Sequence, residues 1–180
     1  MYENIGGGQF FTSGQQKQVE TLTEFTNGFA VPKYQNVTSN GQPGKDEQFA
    51  DTDYPMFRLA DAYLTYAEAK LRGGTGGEFN ELELVNLLRE RAGLSEISAS
   101  ALDLNYILDE RSRELHWEAT RRTDLVRYGR FTSGDKLWAF KGGEQQGIPT
   151  AEFKNLYPIP ASEISANPNL DQEDQNEGYN

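Results

Sequence analysis

From Pro55 onward, apolar residues recur at three- and four-residue steps, at Phe57, Ala60, Leu64, Ala67 and Leu71, while Arg58, Asp61, Glu68 and Arg72 fall on other faces. That period predicts an amphipathic helix with one continuous apolar stripe, opened by a proline whose missing N–H the first turn does not need. Arg58 and Asp61, and Glu68 and Arg72, stand at pairing distance on its surface. The run Gly73-Gly74-Thr75-Gly76-Gly77 ends the helix and lets the chain reverse. No Gly-Lys-Ser/Thr follows it, so it is not a phosphate loop. A second helix is predicted over about Glu78–Ala92, with Leu82, Val85, Leu88 and Ala92 on one side and Gly93 as its stop. The two make a helical hairpin of the size used in tetratricopeptide repeats, and Ala60 and Ala67 permit close interhelical approach. One such unit also fits a generic helical hairpin.

A third helix, about Asp103–Glu118, carries Leu104, Leu108 and Leu115, but charged residues at Arg111, Glu118 and Arg122 interrupt the stripe. Glu110, Glu114 and Glu118 stack at four-residue steps, an arrangement that repels unless cations intervene. Arg113, Arg121, Arg122 and Arg127 are at hand to supply them. Partly buried charges persist only when paired and hydrogen-bonded. The pattern therefore predicts a structural ion network of Glu110, Arg111, Glu114, Glu118, Arg121, Arg122, Asp124 and Arg127, joining the third helix to Asp124–Tyr128.

Before Pro55 the texture differs. Residues 1–52 are rich in Gly, Thr, Asn and Gln, and no helical period lasts beyond a turn. Strands and loops are expected, with a hairpin at Asn27-Gly28 between Leu22–Phe25 and Phe29–Val31, because both central residues of a type I′ turn need positive φ. Asn36-Val37-Thr38 matches the N-glycosylation sequon, a tripeptide common by chance. The division expected on composition is a loop and short-strand segment over 1–52 and a helical domain over 53–180.

At the other end, Leu156–Leu170 contains Pro158, Pro160 and Pro168, which oppose a regular helix through most of the segment and favour extended geometry before each proline. Leu156, Tyr157, Ile159, Ile164 and Leu170 give this strap apolar groups, so it is expected to lie across the helical core. Each such side chain, fully buried, contributes roughly 1.5–3 kcal/mol before entropy is subtracted. The acidic tail beyond Leu170 is expected to be mobile.

Composition narrows the chemistry. The 180 residues include no cysteine, which removes disulfides, thiolate metal sites, cysteine nucleophiles and a lipid-bearing cysteine from this chain. The mean hydropathy of -0.73 is low for a self-contained globule of this length, as expected of a piece whose neighbour lies elsewhere. No export leader and no apolar run of membrane-spanning length is present. A formal charge of -11 with a sequence pI near 4.6 argues against nucleic acid as a partner. The only histidine, His116, cannot make a two-histidine metal site, and no cofactor fingerprint occurs. Glu114 and Glu118 could stand at the carboxylate separation of a glycosidase, but nothing in the sequence places a sugar between them. Neither an enzyme, a metal nor a cofactor is expected.

Aromatic side chains offer other chemistry, since the C–H face of a sugar stacks on Trp or Tyr while amides and charged groups take its hydroxyls. Trp138, Phe140, Lys141 and Gln145 lie in a Gly- and Gln-rich loop, Gly134–Gly147, with Tyr34 as a further aromatic candidate. Glycan contact and simple anchoring of the loop by a buried indole are both open for Trp138.

Five stretches together are similar to the SusD/RagB family of glycan-capturing lipoproteins. They are Phe57–Lys70 (FRLADAYLTYAEAK), Val85–Leu94 (VNLLRERAGL), Ile107–Glu118 (ILDERSRELHWE), Arg121–Gly129 (RRTDLVRYG) and the strap LYPIPASEISANPNL. They appear in family order and span about Tyr54 to Tyr179. The tail departs from the usual family ending, with four extra residues before Asn176 and Glu177 where a proline is usual. The resemblance implies a mostly α fold, SusD-like, with tetratricopeptide-type helix pairs and an extended closing strap, and that this chain is the C-terminal portion. It implies a non-catalytic role in oligosaccharide binding and nutrient uptake at the extracellular face of the bacterial outer membrane. The implied partner is a SusC-like TonB-dependent transporter, with the membrane reached through a lipid anchor outside this chain. A peptide-capturing RagB-like protein, or a repeat-type interaction domain without a glycan site, are the other readings.

Overall fold

The computed structural model describes residues 18–23, 27–28, 33–34, 36–38, 40–46 and 48–179. It divides the chain into two compact units, Met1–Arg121 and Arg122–Asn180. That boundary falls within the helix that begins at Arg121.

The first unit is built on three helices. Helix α1, Leu59–Leu71, packs against both α2, Glu81–Arg91, and α3, Leu104–Glu114. Ala60, Leu64 and Ala67 of α1 meet Val85 and Leu88 of α2 and Ile107 of α3 in one buried cluster, closed by Leu102. Ile107, absent from the stripe read in the sequence, is fully buried, because α3 turns this side to α1. Phe57, expected in the stripe, is 87% exposed. The helix begins only after it: Arg58 has extended backbone at φ -146° and ψ 158°, and Pro55 stands outside the first turn. Arg58 does not pair with Asp61 as its spacing suggested. Its guanidinium goes to Glu114 and Glu118, and Asp61 pairs with Arg111 at 2.7 Å. The Glu68–Arg72 pair forms as expected, at 2.9 Å.

Gly74 N–H donates to the Ala69 carbonyl at 2.8 Å, and a Cβ there would come 2.7 Å from that same oxygen, so a side chain would break the stop of α1. Helix α2 starts at a cap: Asn80 Oδ1 accepts from the N–H groups of Leu82 and Glu83, at 2.9 and 3.2 Å. Asn80→Ala should cost about 1 kcal/mol, the usual value of such a cap, read as a shift in the denaturant midpoint of the first unit. Beyond α2, the Asn86 amide clamps Ile97, donating to its carbonyl at 3.2 Å and accepting from its N–H at 2.9 Å.

Helix α3, capped by Asp103 on the Tyr106 N–H at 2.7 Å, ends at Glu114 rather than Glu118. Trp117 and Ala119 lie at φ +63° and +59°, a left-handed geometry that a helix cannot contain and that costs a side-chain-bearing residue on the order of 1 kcal/mol or more.

Among the described residues no strand is longer than an isolated bridge, such as the antiparallel one between Val37 and Pro43. Gly28 has the positive φ, +78°, that the expected hairpin turn needs. Most of the flanking strand positions, at 24–25 and 29–31, lie outside the described residues. The loop after Tyr34 is organised by Asn36, whose amide donates to the carbonyls of Asp46 and Phe49 and accepts from the Asp51 N–H at 2.8 Å.

In the second unit, α4 (Arg121–Arg127) buries Asp124 and Leu125, and a short helix α5, Ala161–Ala166, lies within the strap between Pro160 and Pro168. The expected burial of the strap is corrected at its first two apolar residues, Leu156 and Tyr157, which are 60% and 67% exposed. Tyr157 instead covers the Arg122 guanidinium, 3.7 Å from the ring centroid, while Arg122 donates to the Lys154 and Asn155 carbonyls at 2.7 and 3.3 Å. Ile159, Ile164 and Leu170 are half-buried.

The expectation of a mobile tail is also corrected. Gln175 pairs with both backbone groups of Ile159, accepting at 2.8 Å and donating at 2.9 Å. Asn176 donates to the Tyr157 carbonyl at 2.7 Å, and the Tyr179 hydroxyl donates to the Leu156 carbonyl at 2.9 Å. The Tyr179 ring stands edge-on to Phe153 at 4.9 Å. Pro158 and Pro160 leave the strap short of internal hydrogen bonds, so its carbonyls take partners from the tail.

Candidate functional site

The loop after α4 folds back on itself through main-chain bonds. Lys141 N–H donates to the Trp138 carbonyl at 3.1 Å, Phe140 N–H to the Gln145 carbonyl at 3.3 Å, and Ile148 N–H returns to Lys141 at 3.1 Å. Phe140 sits at φ +63°, and a Cβ on Gly147 would collide with the Trp138 carbonyl. The loop is thereby held in one shape with Trp138 half-buried and Lys141 and Gln145 exposed.

Lys141 Nζ lies over two rings, 4.6 Å from the Trp138 centroid and 5.0 Å from that of Phe131. Arg122 lies over Phe131 at 5.0 Å as well as over Tyr157. The second unit thus carries a ladder of alternating rings and cations, Trp138, Lys141, Phe131, Arg122 and Tyr157, joining the loop, α4 and the strap. A cation over a ring contributes on the order of 0.5–2 kcal/mol, more as water is excluded. Sequence reading found Trp138 and Lys141 but not Phe131 or Tyr157, because their meeting depends on tertiary contacts with no sequence period.

Tyr34, the remaining glycan candidate, belongs to the first unit, where its ring meets that of Tyr54 at 5.5 Å. Its backbone is left-handed at φ +64°. Its hydroxyl is shielded from solvent and meets no hydrogen-bond partner among the described residues. Burial, with the Glu118 carboxylate second, pushes the phenol above its ordinary range. The five candidates are therefore not all held within one unit.

The charged cluster takes much of its partnership from α1 and α2. Glu118 accepts from Arg58 Nε and Nη2 at 2.6 and 2.8 Å and from the Lys33 ammonium. Glu114 accepts from Arg58 at 2.6 Å and from Arg91 at 2.6 Å. Glu110 pairs with Arg113 at 2.5 Å and lies 3.7 Å from Arg89. Arg111 reaches Asp61 and Thr65. Arg121 donates to the Leu108 carbonyl at 2.8 Å. In the second unit Arg127 pairs with Asp124 at 2.8 Å, and Arg122 is taken up by the strap. Asp124 and Arg127 pair with each other within α4, while Arg58, Lys33, Arg89 and Arg91, missed because sequence distance from α3 hides them, supply cations to Glu110, Glu114 and Glu118. Burial pushes the Glu118 carboxyl up, yet hydrogen bonds from Arg58 and Lys33 outweigh it and hold the group below the usual carboxylate value of 4.5. Among the described residues no group of three His, Cys, Asp or Glu side chains is arranged to hold a metal ion, and no helix is long and apolar enough to cross a membrane.

The sequence profile of the SusD family matches residues 1–179. The chain belongs to the SusD family. It is 40% identical, over 99% of its length, to the starch-binding protein SusD of Bacteroides thetaiotaomicron, and spans 30% of that protein. It is 32% identical to SusD-like protein P25 of Formosa agariphila over 69% of this chain and 24% of P25. Among solved structures, a laminarin-binding SusD-like protein aligns over 80% of this chain and 26% of its own with a TM-score of 0.53 and 31% identity. Surface glycan-binding protein A from Bacteroides thetaiotaomicron aligns over 71% of this chain and 26% of its own, with a TM-score of 0.54 and 29% identity. This SusD-family chain is thus mostly helical like its structural neighbours, and spans less than one third of the length of these relatives.

Proposed function

We propose that this chain is the scaffold-bearing part of a non-catalytic oligosaccharide-binding protein. In this reading the whole protein works at the extracellular face of the outer membrane with a SusC-like TonB-dependent transporter, delivering captured glycan inward. The observation that carries the reading is the 40% identity to a starch-binding protein over 99% of this chain. The state of the glutamates supports a binding role over hydrolysis. Glu114 and Glu118 each accept hydrogen bonds from two cationic side chains, so neither is placed to carry the mobile proton of a general acid.

Within that role, Trp138, Phe140, Lys141, Gln145 and Tyr34 are secondary to the scaffold. The cation over the Trp138 ring favours anchoring of the loop. Isothermal titration with malto- and laminari-oligosaccharides tests this. A full-length family protein carrying this sequence should bind one of them at micromolar affinity, and the chain alone at least about 100-fold more weakly, the loss expected when the main hot spots are absent. A full-length protein that ignores every glycan but binds peptides would overturn the glycan reading. Micromolar binding by the chain alone that disappears in Trp138→Ala would move the site to this loop.

A further inference from the structure

An asparagine followed by glycine is chemically reactive, because no side chain on the glycine obstructs attack of its backbone nitrogen on the asparagine amide carbon. The chain carries two such pairs, Asn27-Gly28 and Asn40-Gly41. Sequence ranks them equally, and the structure separates them. Asn27 Oδ1 accepts from the Glu20 N–H at 2.5 Å and from the Thr21 N–H at 3.4 Å, which ties the amide to a segment upstream and keeps it from turning onto the Gly28 nitrogen. Both residues of that pair are half-buried. Val19 Cγ2 lies 3.2 Å from the point where Gly28 would carry a Cβ, so the space that the reacting atoms must cross is already occupied.

At the second pair, Asn40 and Gly41 are both exposed, and nothing lies within 4 Å of the corresponding point on Gly41. What restrains this pair is Thr38. The Gly41 N–H donates to the Thr38 carbonyl at 2.9 Å, which closes a turn around Asn40 and keeps the proton on the nitrogen that would attack. Gln42 N–H donates to Thr38 Oγ1 at 3.1 Å, and Thr38 N–H donates to the Gln42 carbonyl at 2.8 Å. Hydrogen bonds at the surface compete with water, so a turn of this kind opens far more often than the buried helices do.

We propose that Asn40 is a spontaneous modification site of this chain, converted to aspartate and isoaspartate whenever the turn held by Thr38 opens. Hydroxide takes the Gly41 N–H proton, the freed nitrogen bonds to Asn40 Cγ, and the Cγ–Nδ2 bond breaks. Nδ2 leaves as ammonia after taking up a proton from water. The five-membered imide left behind is opened by one water at either of its carbonyls. One water is consumed and one ammonia released in all, and nothing is oxidised or reduced. In the isoaspartate product the main chain runs through Asn40 Cβ and Cγ and is one atom longer there. The Thr38–Gln42 pairing and the Val37–Pro43 bridge then lose their register, and the start of the loop organised by Asn36 loosens.

Incubation of the chain at neutral and mildly alkaline pH, followed by peptide mapping with mass spectrometry, tests the proposal. In native buffer Asn40 should deamidate at least about tenfold faster than Asn27, whereas in concentrated urea, where neither site is held, the two rates should agree within about threefold. The Asn40 rate should rise in proportion to hydroxide, and an isoaspartyl methyltransferase should label the product. Thr38→Val removes the hydroxyl that accepts from Gln42, and should speed Asn40 roughly two- to tenfold, the range that one hydrogen bond is worth, without moving Asn27. Hydrogen exchange at Thr38 and Gln42 should quicken in the modified chain. The comparison of the two asparagines needs no variant, so it decides alone if Thr38→Val fails to fold. Asn27 reacting first, equal rates in native buffer, or an Asn40 rate indifferent to Thr38→Val in a folded chain would each overturn the proposal.

Discussion

Arg58→Met is expected to destabilise the first unit by about 3 kcal/mol or more, because it leaves two largely buried carboxylates without their shared cation. Glu114 and Glu118 are 9% and 6% exposed at the side chain, and the substitution removes four hydrogen bonds, three to the carboxylates and one to the Glu114 carbonyl. Lys33 and Arg91 remain, but each reaches only one of the two groups. The pH dependence separates this mechanism from simple loss of packing. Glu118 has its folded-state pKa below the ordinary value of 4.5, so its contribution is fully present above that value and is lost as pH falls through the lower folded pKa. In the variant, burial acts on Glu118 with its largest opposing influence gone, and the acid-side loss of stability should flatten or reverse. Urea titrations at neutral pH and between pH 5 and 3 measure both effects. A variant within about 0.5 kcal/mol of the parent, the range of an ordinary surface change, would show that the cluster is solvated rather than structural.

The helices were legible because their signal is periodic. Ala60, Leu64, Ala67, Val85 and Leu88 were all placed on core faces from spacing alone, and the structure buries each of them. What spacing could not supply was where a helix yields to tertiary demand. Arg58 leaves α1 to serve Glu114 and Glu118, which moves the start of the helix past Phe57. The end of α3 was read four residues too long, because Trp117 and Ala119 adopt left-handed backbone that ordinary side chains rarely take and no composition rule flags. The ring-and-cation ladder was visible only in part, since Arg122, Phe131, Lys141 and Tyr157 come from four separate segments. The strap was recognised as ordered, but the groups satisfying its carbonyls come from a tail whose acidity suggested solvent.

Removal of residues 171–180 should therefore do more than trim a loose end. The deletion takes away two hydrogen bonds between Gln175 and Ile159, one donated by Asn176 to Tyr157, one donated by Tyr179 to Leu156, and the Phe153–Tyr179 ring pair. With about 0.5–1.5 kcal/mol for each hydrogen bond and a similar amount for the ring pair, the second unit should lose roughly 2.5–7.5 kcal/mol, less the entropy regained by the freed chain. Hydrogen exchange at Ile159 and limited proteolysis around Leu156–Pro160 should report the release directly. Tyr179→Phe should retain the ring pair and lose only the smaller hydroxyl share. A truncated chain whose strap exchanges no faster than the parent's would show that the tail rests on the strap without securing it.

The Asn36 amide has a practical consequence for producing this protein. Both of its N–H bonds are directed at carbonyls, those of Asp46 and Phe49, and its oxygen takes the Asp51 N–H. In a eukaryotic secretory host, an oligosaccharyltransferase that reached Asn36-Val37-Thr38 before folding would replace one of those hydrogens with a sugar. The loop from Asn36 to Asp51 could then not close as it does here. Material secreted from such a host should separate into an unmodified form with this loop intact and a modified form with it open, a heterogeneity that Thr38→Val would remove while keeping the Asn36 bonds, whereas Asn36→Asp would remove it only by losing both donated bonds.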